Sequence, residues 1–98
     1  MSERILIIED ETAIRSILSE LLADAGYSIE TAGDGLEGIT KFREKPFDLI
    51  LLDIMMPKID GYTVCEMIRR DSNVPVIMLT ALDEEEAQIR AFELKADD

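Results

Sequence analysis

Residues 49–61, LILLDIMMPKIDG, join a short apolar run to an aspartate and a turn-forming segment. The run at 49–52 is too short for a helix and apolar on both faces, which is typical of a central parallel strand. Two other runs share this pattern, ILII at 5–8 and VIML at 76–79. The mixed segment at 28–32 predicts a less buried strand, so we expect it at the sheet edge.

Apolar residues at three-and-four spacing between these strands predict helices. We expect a first helix ended by Gly26, a second over 35–44, a third over 60–70 with Asp60 as its N-cap, and a fourth over 84–94. The residues expected to face inward are Ile14, Ile17, Leu18, Leu21, Leu22, Ala25, Leu36, Ile39, Phe42, Val64, Cys65, Ile68, Ile89 and Phe92.

The alternation of strands and helices predicts an α/β fold, a doubly wound parallel sheet with helices on both faces. If the polar strand lies at the edge, the strand order is 2-1-3-4 and the winding reverses between the first and third strands. Ligands bind at such a reversal, beyond the carboxyl ends of the strands.

Composition limits the class of protein. The 98 residues suffice for one domain, and 47% hydrophobic against 33% charged residues predicts a globular core. A formal net charge of -12 disfavours contact with nucleic acid or anionic membranes. The single cysteine, Cys65, allows no internal disulfide, and no leader or membrane span is visible, so we expect a cytoplasmic protein.

Polar side chains follow each central strand at the end where ligands are expected. Glu9 and Asp10 come after the first strand, Asp53 after the third, and Thr80 and Ala81 after the fourth. Three carboxylates crowded into one crevice repel each other unless a cation or a proton intervenes. Taken alone, an acidic pair is more often a helix cap or a solvated feature; the joint placement favours a site.

Mg²⁺ is the expected cation, because it takes oxygen ligands and keeps several waters. Asp10 and Asp53 are its expected direct ligands, Glu9 would hold a metal-bound water, and the backbone carbonyl of Met55 could also reach the ion. Asp53 is then a candidate nucleophile for phosphoryl transfer, and the Thr80 hydroxyl could donate to the phosphoryl oxygens. Thr80 could equally bond only to backbone.

Four segments together resemble the receiver domains of bacterial two-component response regulators: 5–11, 51–61, 74–81 and 96–98. The Asp-x-x-Met-Pro-x-x-Asp-Gly loop at 53–61 is the most specific of these motifs. The resemblance implies a flavodoxin-like fold with the family's strand order 2-1-3-4-5.

The resemblance also implies roles for individual residues. Asp53 would be the phosphoacceptor, Glu9 and Asp10 the acidic pair for Mg²⁺, Thr80 the switch hydroxyl, and Ala81 the small residue that leaves room for the phosphoryl group. The donor would be a phosphohistidine on a sensor histidine kinase. Such a domain is a signalling switch rather than a turnover enzyme.

Two departures from the family affect the C-terminal end. Lys95 stands where glycine usually ends the fourth helix, and the sequence ends at Asp98, before the family's fifth strand with its lysine and before the fifth helix. Residues 1–98 are therefore expected to be an incomplete receiver domain. A fourth strand left as an edge would favour a homodimer through the fourth-strand and fourth-helix face, or by exchange.

Three other classes remain as alternatives. A haloacid-dehalogenase-type phosphatase also uses a strand-end aspartate with Mg²⁺, but it expects an acid where Met55 stands. A flavin-binding electron carrier would need a hydroxyl-rich phosphate loop in place of Glu9, Asp10 and Glu11. A calcium module of the EF-hand type would need an acidic spacing that is absent.

Overall fold

The structure is a computed structural model that describes residues 3–56 and 58–79. Strands and helices alternate along this part of the chain: β1 Arg4–Ile8, α1 Thr12–Asp24, β2 Ser28–Ala32, α2 Gly35–Glu44, β3 Leu49–Asp53, α3 Gly61–Asp71 and β4 Val76–Leu79. The strands form one parallel sheet in the order β2-β1-β3-β4, which confirms the predicted topology. The helix expected over 84–94 lies outside the described residues.

Side-chain alternation along the strands divides the core between the two faces of the sheet. On one face, Ile5, Ile7 and Leu51 form a cluster to which helix α1 contributes Leu18 and Leu22. The opposite face carries the larger cluster, in which α2 and α3 cover the other side chains of the sheet: Leu6, Ile8, Ile50, Leu52, Val76 and Met78. In the described part of the chain, no helix is long and apolar enough to cross a membrane.

The helix boundaries follow the signals in the sequence. Gly26 follows α1 with a φ of 103°, a left-handed conformation that favours glycine. Asp60 caps α3, because its side chain accepts a hydrogen bond from the Thr63 N–H at 2.9 Å. Lys45, which precedes Pro46, is extended with a φ of -145° and ends α2 as predicted.

The predicted inward stripe of helix α1 is wrong in part. Leu18 and Leu22 pack on the sheet, but the other four residues of the stripe are exposed: Ile14, Ile17, Leu21 and Ala25. A helix that lies on a sheet touches it along a narrow line, and no element among the described residues covers the flank of α1. The spacing therefore identified the apolar side of α1 but overestimated how much of it is buried.

The predicted inward position of Leu36 is also wrong, because 57% of its surface is exposed. The buried residues of α2 include Gly35, Gly38 and Ile39. A β-carbon at Gly38 would lie 2.5 Å from Cδ1 of Ile8, so the helix backbone lies directly against the sheet at this point. This close approach presents the glycine face to the core and leaves Leu36 toward solvent.

Gly61 allows the first turn of α3 to lie against the end of β3. A β-carbon at this position would be 2.4 Å from the Asp53 carbonyl oxygen and 2.7 Å from the Ile54 α-carbon. The Gly61 N–H also donates to the Ile54 carbonyl at 2.9 Å. The start of α3 and the position of Asp53 are therefore coupled.

We expect Gly61→Ala to lower the free energy of unfolding by about 1–3 kcal/mol, because the added methyl group meets backbone atoms that cannot rotate away. Urea denaturation followed by circular dichroism measures this change. Gly33→Ala is the control, since a β-carbon there would make only an ordinary contact, 3.4 Å from Nη1 of Arg15. Equal losses in the two variants would contradict the packing explanation.

Candidate functional site

The pairing of β1 with β3 brings two acidic residues to the same edge of the sheet. Ile8 pairs with Leu52 at the last position of the ladder, so Glu9 and Asp53 follow at neighbouring positions. Asp10 is the next residue along the chain. Carboxylate oxygens of Glu9, Asp10 and Asp53 all lie within 4.8 Å of one another.

Hydrogen bonds with backbone groups fix Glu9, which follows β1, and Asp53, which ends β3. The Glu9 N–H donates to the Ala32 carbonyl at 3.0 Å, which extends the β1–β2 pairing by one residue. Its Oε2 accepts from the Glu11 N–H at 3.0 Å, and only 2% of the residue is exposed. On the other strand, Oδ1 of Asp53 accepts from the Met55 N–H at 3.2 Å.

The electrostatics of the cluster favour a positive charge. The pKa of Asp53 is raised to about 7, first by burial and then by the negative charge of Glu9, against the lowering effect of the Met55 N–H. Burial also raises the pKa of Glu9, with the neighbouring Asp10 acting in the same direction. Negative charge in this cluster is therefore energetically unfavourable, and binding of a cation or a proton stabilises the site.

The residues present fit a hard divalent cation. Opposite ligands of an octahedral Mg²⁺ are separated by about 4 Å, since each oxygen lies roughly 2.1 Å from the ion. The separation of up to 4.8 Å between the carboxylate oxygens is close to this value. Oxygen atoms are the ligands that both Mg²⁺ and Ca²⁺ prefer, so the donor set excludes a soft, thiolate-bound metal.

The loop from β3 to α3 borders the cluster. Met56 is buried, whereas 58% of Met55 is exposed. Lys58 has a φ of 70°, an uncommon conformation for a residue with a side chain. The role expected of the Met55 carbonyl stays a prediction, and Thr80 and Ala81 lie outside the described residues.

Arg15 contacts the acidic loop, which the sequence did not predict. Its Nη1 donates to the Glu9 carbonyl at 2.7 Å, so the side chain reaches back from α1 to the acidic loop. A signal was present, because a cation in the first turn of a helix faces the positive end of the helix dipole. An arginine at this end of a helix therefore needs a hydrogen-bond acceptor outside the helix.

The fold and the site together define a flavodoxin-like α/β domain with an acidic crevice at its topological switch point, lined by residues that could hold a cation. The response regulator receiver domain family matches residues 5–98. The chain belongs to this family and is a signalling domain of the two-component type.

Named relatives agree with this assignment. The probable transcriptional regulator ycf27 of Guillardia theta is 51% identical over 96 residues, which are 98% of this chain and 38% of that protein. The transcriptional regulatory protein YclJ of Bacillus subtilis is 46% identical over 95 residues, or 97% of this chain and 42% of that protein. The chain thus spans about two fifths of the length of these relatives.

Solved structures give the same fold. The chemotaxis protein CheY4 of Vibrio cholerae superposes with a TM-score of 0.86 at 32% identity, covering 96% of this chain and 81% of that one. The receiver domain of the Francisella response regulator 1452 gives a TM-score of 0.87 at 30% identity, covering 99% and 81%.

We expect the metal-free domain to lose stability as the pH rises from 3.8, the ordinary pKa of the aspartate, to about 7, its pKa in the fold. The folded state binds more protons than the unfolded state in this window, so the stabilisation is complete below it and is lost above it. After allowance for solvent screening, the loss attributable to Asp53 is roughly 2 kcal/mol.

Urea denaturation at several pH values in the presence of EDTA, on wild type and Asp53→Asn, isolates this contribution as the difference between the two curves. Asp34→Asn serves as the control, because asparagine caps a helix as well as aspartate does. If the difference in free energy of unfolding between wild type and Asp53→Asn does not change with pH, the pKa of Asp53 is not raised in the folded state.

Proposed function

We propose that the domain is a phosphoacceptor switch, in which Asp53 receives a phosphoryl group from the phosphohistidine of a sensor histidine kinase in a Mg²⁺-dependent reaction. The observation that carries this proposal is the position of Asp53 at the end of β3, with carboxylate oxygens of Glu9 and Asp10 within 4.8 Å. Membership of the receiver family supports it. The acid at this strand end is available for chemistry, since it is only partly buried.

Glu9, Asp10 and Asp53 would hold the Mg²⁺, together with the backbone carbonyl of Met55. When bound, the ion neutralises charge on the carboxylates and on the incoming phosphoryl oxygens. Glu9 is suited to hold an ion-bound water, because its Oε2 is already engaged by the Glu11 N–H. Asp10 is half-buried and follows directly in the loop, where it can reach the ion itself.

In the transfer step, a carboxylate oxygen of Asp53 attacks phosphorus while the phosphorus–nitrogen bond of the donor breaks. The electron pair of that bond returns to the ring nitrogen of the histidine. The Met55 N–H, which bonds to Oδ1, orients the carboxylate and leaves its other oxygen for the attack. The role of the chain is positioning and charge stabilisation, which are the main contributions in phosphoryl transfer.

The proposed output is a change in the face formed by the fourth strand and fourth helix. The end of β4 is linked to the acceptor, since Asp53 pairs with Leu79 and the Ile54 N–H donates to the Leu79 carbonyl at 3.1 Å. Thr80 follows at once, and its hydroxyl is proposed to bond to the phosphoryl oxygens, with Ala81 leaving space beside them. A movement at Asp53 would therefore reach this face over a short path.

The wider role is proposed from the relatives. Two of them are named as transcriptional regulators, and they are more than twice as long as this chain. Control of transcription would thus use another part of such a protein, because a net charge of -12 disfavours DNA contact by this domain. A cytoplasmic location, supported by the presence of a single, buried cysteine, Cys65, and action as a switch rather than a turnover enzyme complete the proposal.

Self-association through the fourth-strand and fourth-helix face is part of the same proposal. Ile77 in β4 is a large apolar residue, and 41% of its surface is exposed. The apolar sequence of β4 is typical of a strand in the interior of a sheet. We expect a concentration-dependent dimer in size-exclusion chromatography with light scattering, weakened by Ile77→Lys. A monomer at every concentration would contradict this part of the proposal.

We expect acetyl phosphate with Mg²⁺ to add one phosphoryl group, seen as a single mass increment in intact-mass spectrometry, to wild type and to Asp34→Asn but not to Asp53→Asn. The amide of asparagine cannot form the acyl phosphate. The Asp34→Asn control keeps an N-cap on α2 and removes the same charge. Equal incorporation into Asp53→Asn and wild type would overturn the assignment.

A further inference from the structure

The peptide unit between Glu9 and Asp10 is held by a side chain from α1. Arg15 Nη1 donates to the Glu9 carbonyl oxygen at 2.7 Å, and its Nη2 lies 3.4 Å from the Thr12 hydroxyl. The Glu9 carbonyl and the Asp10 N–H belong to one planar unit. A hydrogen bond to that carbonyl therefore fixes the direction in which the chain leaves β1, and with it the orientation of both acids.

Stabilisation of the helix does not explain why an arginine occupies this position. Arg15 lies in the first turn of α1, where a positive charge meets the positive end of the helix dipole. The N-cap residue, Glu11, makes no capping hydrogen bond with its side chain. The Arg15 side chain instead links the start of α1 to the acidic loop.

The guanidinium also borders the loop between β2 and α2. A β-carbon added at Gly33 would lie 3.4 Å from Nη1 of Arg15, so the guanidinium lies beside this loop. The Gly33 N–H donates to Oε1 of Glu37 at 2.8 Å, which fixes this loop to α2. The Arg15 guanidinium therefore lies between the acidic loop, to which it is hydrogen-bonded, and a loop that is fixed to α2.

Both hydrogen bonds of Arg15 that the described residues show end on neutral oxygens, one carbonyl and one hydroxyl. The carboxylates of Glu9 and Asp10 consequently stay available to a cation. We propose, building on the proposed function, that Arg15 is a positioning residue of the cation site. It orients the Glu9–Asp10 peptide unit so that both carboxylates face Asp53 before the ion arrives.

The sign of the effect distinguishes positioning from charge. A positive charge near the site repels a divalent cation, so removal of that charge alone would tighten Mg²⁺ binding. Loss of positioning weakens binding, because the two acids must then be ordered when the ion binds. Residues that orient metal ligands change affinity by about 10–100-fold in other metal sites.

Isothermal titration calorimetry with Mg²⁺ on the full chain tests this role in wild type, Arg15→Met, Arg15→Lys and Arg43→Met. Arg43 is the matched control, an arginine on α2 that lies 3.9 Å from Asp71 and whose loss changes the net charge equally. We expect the Kd to rise about tenfold in Arg15→Met and by less in Arg15→Lys, whose single ammonium can still reach the Glu9 carbonyl. Arg43→Met should bind as wild type does, or more tightly.

Phosphorylation by acetyl phosphate adds a second readout. In Arg15→Met, the Mg²⁺ concentration needed for half-maximal rate should rise about tenfold, while the rate at saturating Mg²⁺ stays within about twofold of wild type. A purely structural role would lower the melting temperature and leave the Kd of the folded protein unchanged, which would overturn the inference. Unchanged or tighter binding by Arg15→Met would also overturn it.

The same titration separates this inference from the proposed function. Absence of Mg²⁺ binding in wild type would mean that the proposed function itself fails. Binding in wild type, with equal binding in Arg15→Met, would leave the proposed function intact and remove Arg15 from the site.

Discussion

Repulsion among three carboxylates at the ends of β1 and β3 is the constraint on which this domain depends. Glu9, Asp10 and Asp53 are brought within 4.8 Å by the parallel register of two strands that the hydrophobic core holds in place. Burial of β1 and β3 provides the free energy that keeps like charges together. The result is a crevice in which the pKa of Asp53 is raised to about 7 and whose negative charge a divalent cation would neutralise.

The surroundings of the cluster restrict its geometry from three sides. Gly61 lets α3 approach the Asp53 backbone, Gly38 lets α2 lie against Ile8 just before Glu9, and Arg15 holds the Glu9 carbonyl. The contacts of Gly61 and Arg15 are with backbone atoms near an acid, the contact of Gly38 is with the side chain of Ile8, and none of the three involves a carboxylate. Stability and function are therefore joined here, since a change in packing at either glycine would move an acidic side chain as well.

The sheet and the acidic cluster could be predicted from the sequence because both follow from local rules. Short apolar runs define parallel strands, and parallel strands present their carboxyl ends at one edge. The exposure of Ile17 and Leu21 could not be predicted in this way, because helical spacing shows which side of α1 is apolar but not how far neighbours cover it. The Arg15 contact depends on a side chain that folds back over a loop, which spacing alone does not encode.

The most direct test of the central claim compares melting temperatures of wild type and Asp10→Asn with and without Mg²⁺. Removal of one of three crowded charges should relieve on the order of 1 kcal/mol. The metal-free melting temperature of Asp10→Asn should then be several degrees higher than that of wild type, and its increase on adding Mg²⁺ should be smaller. A melting temperature of wild type that does not depend on Mg²⁺, or a metal-free Asp10→Asn that melts below wild type, would contradict the account.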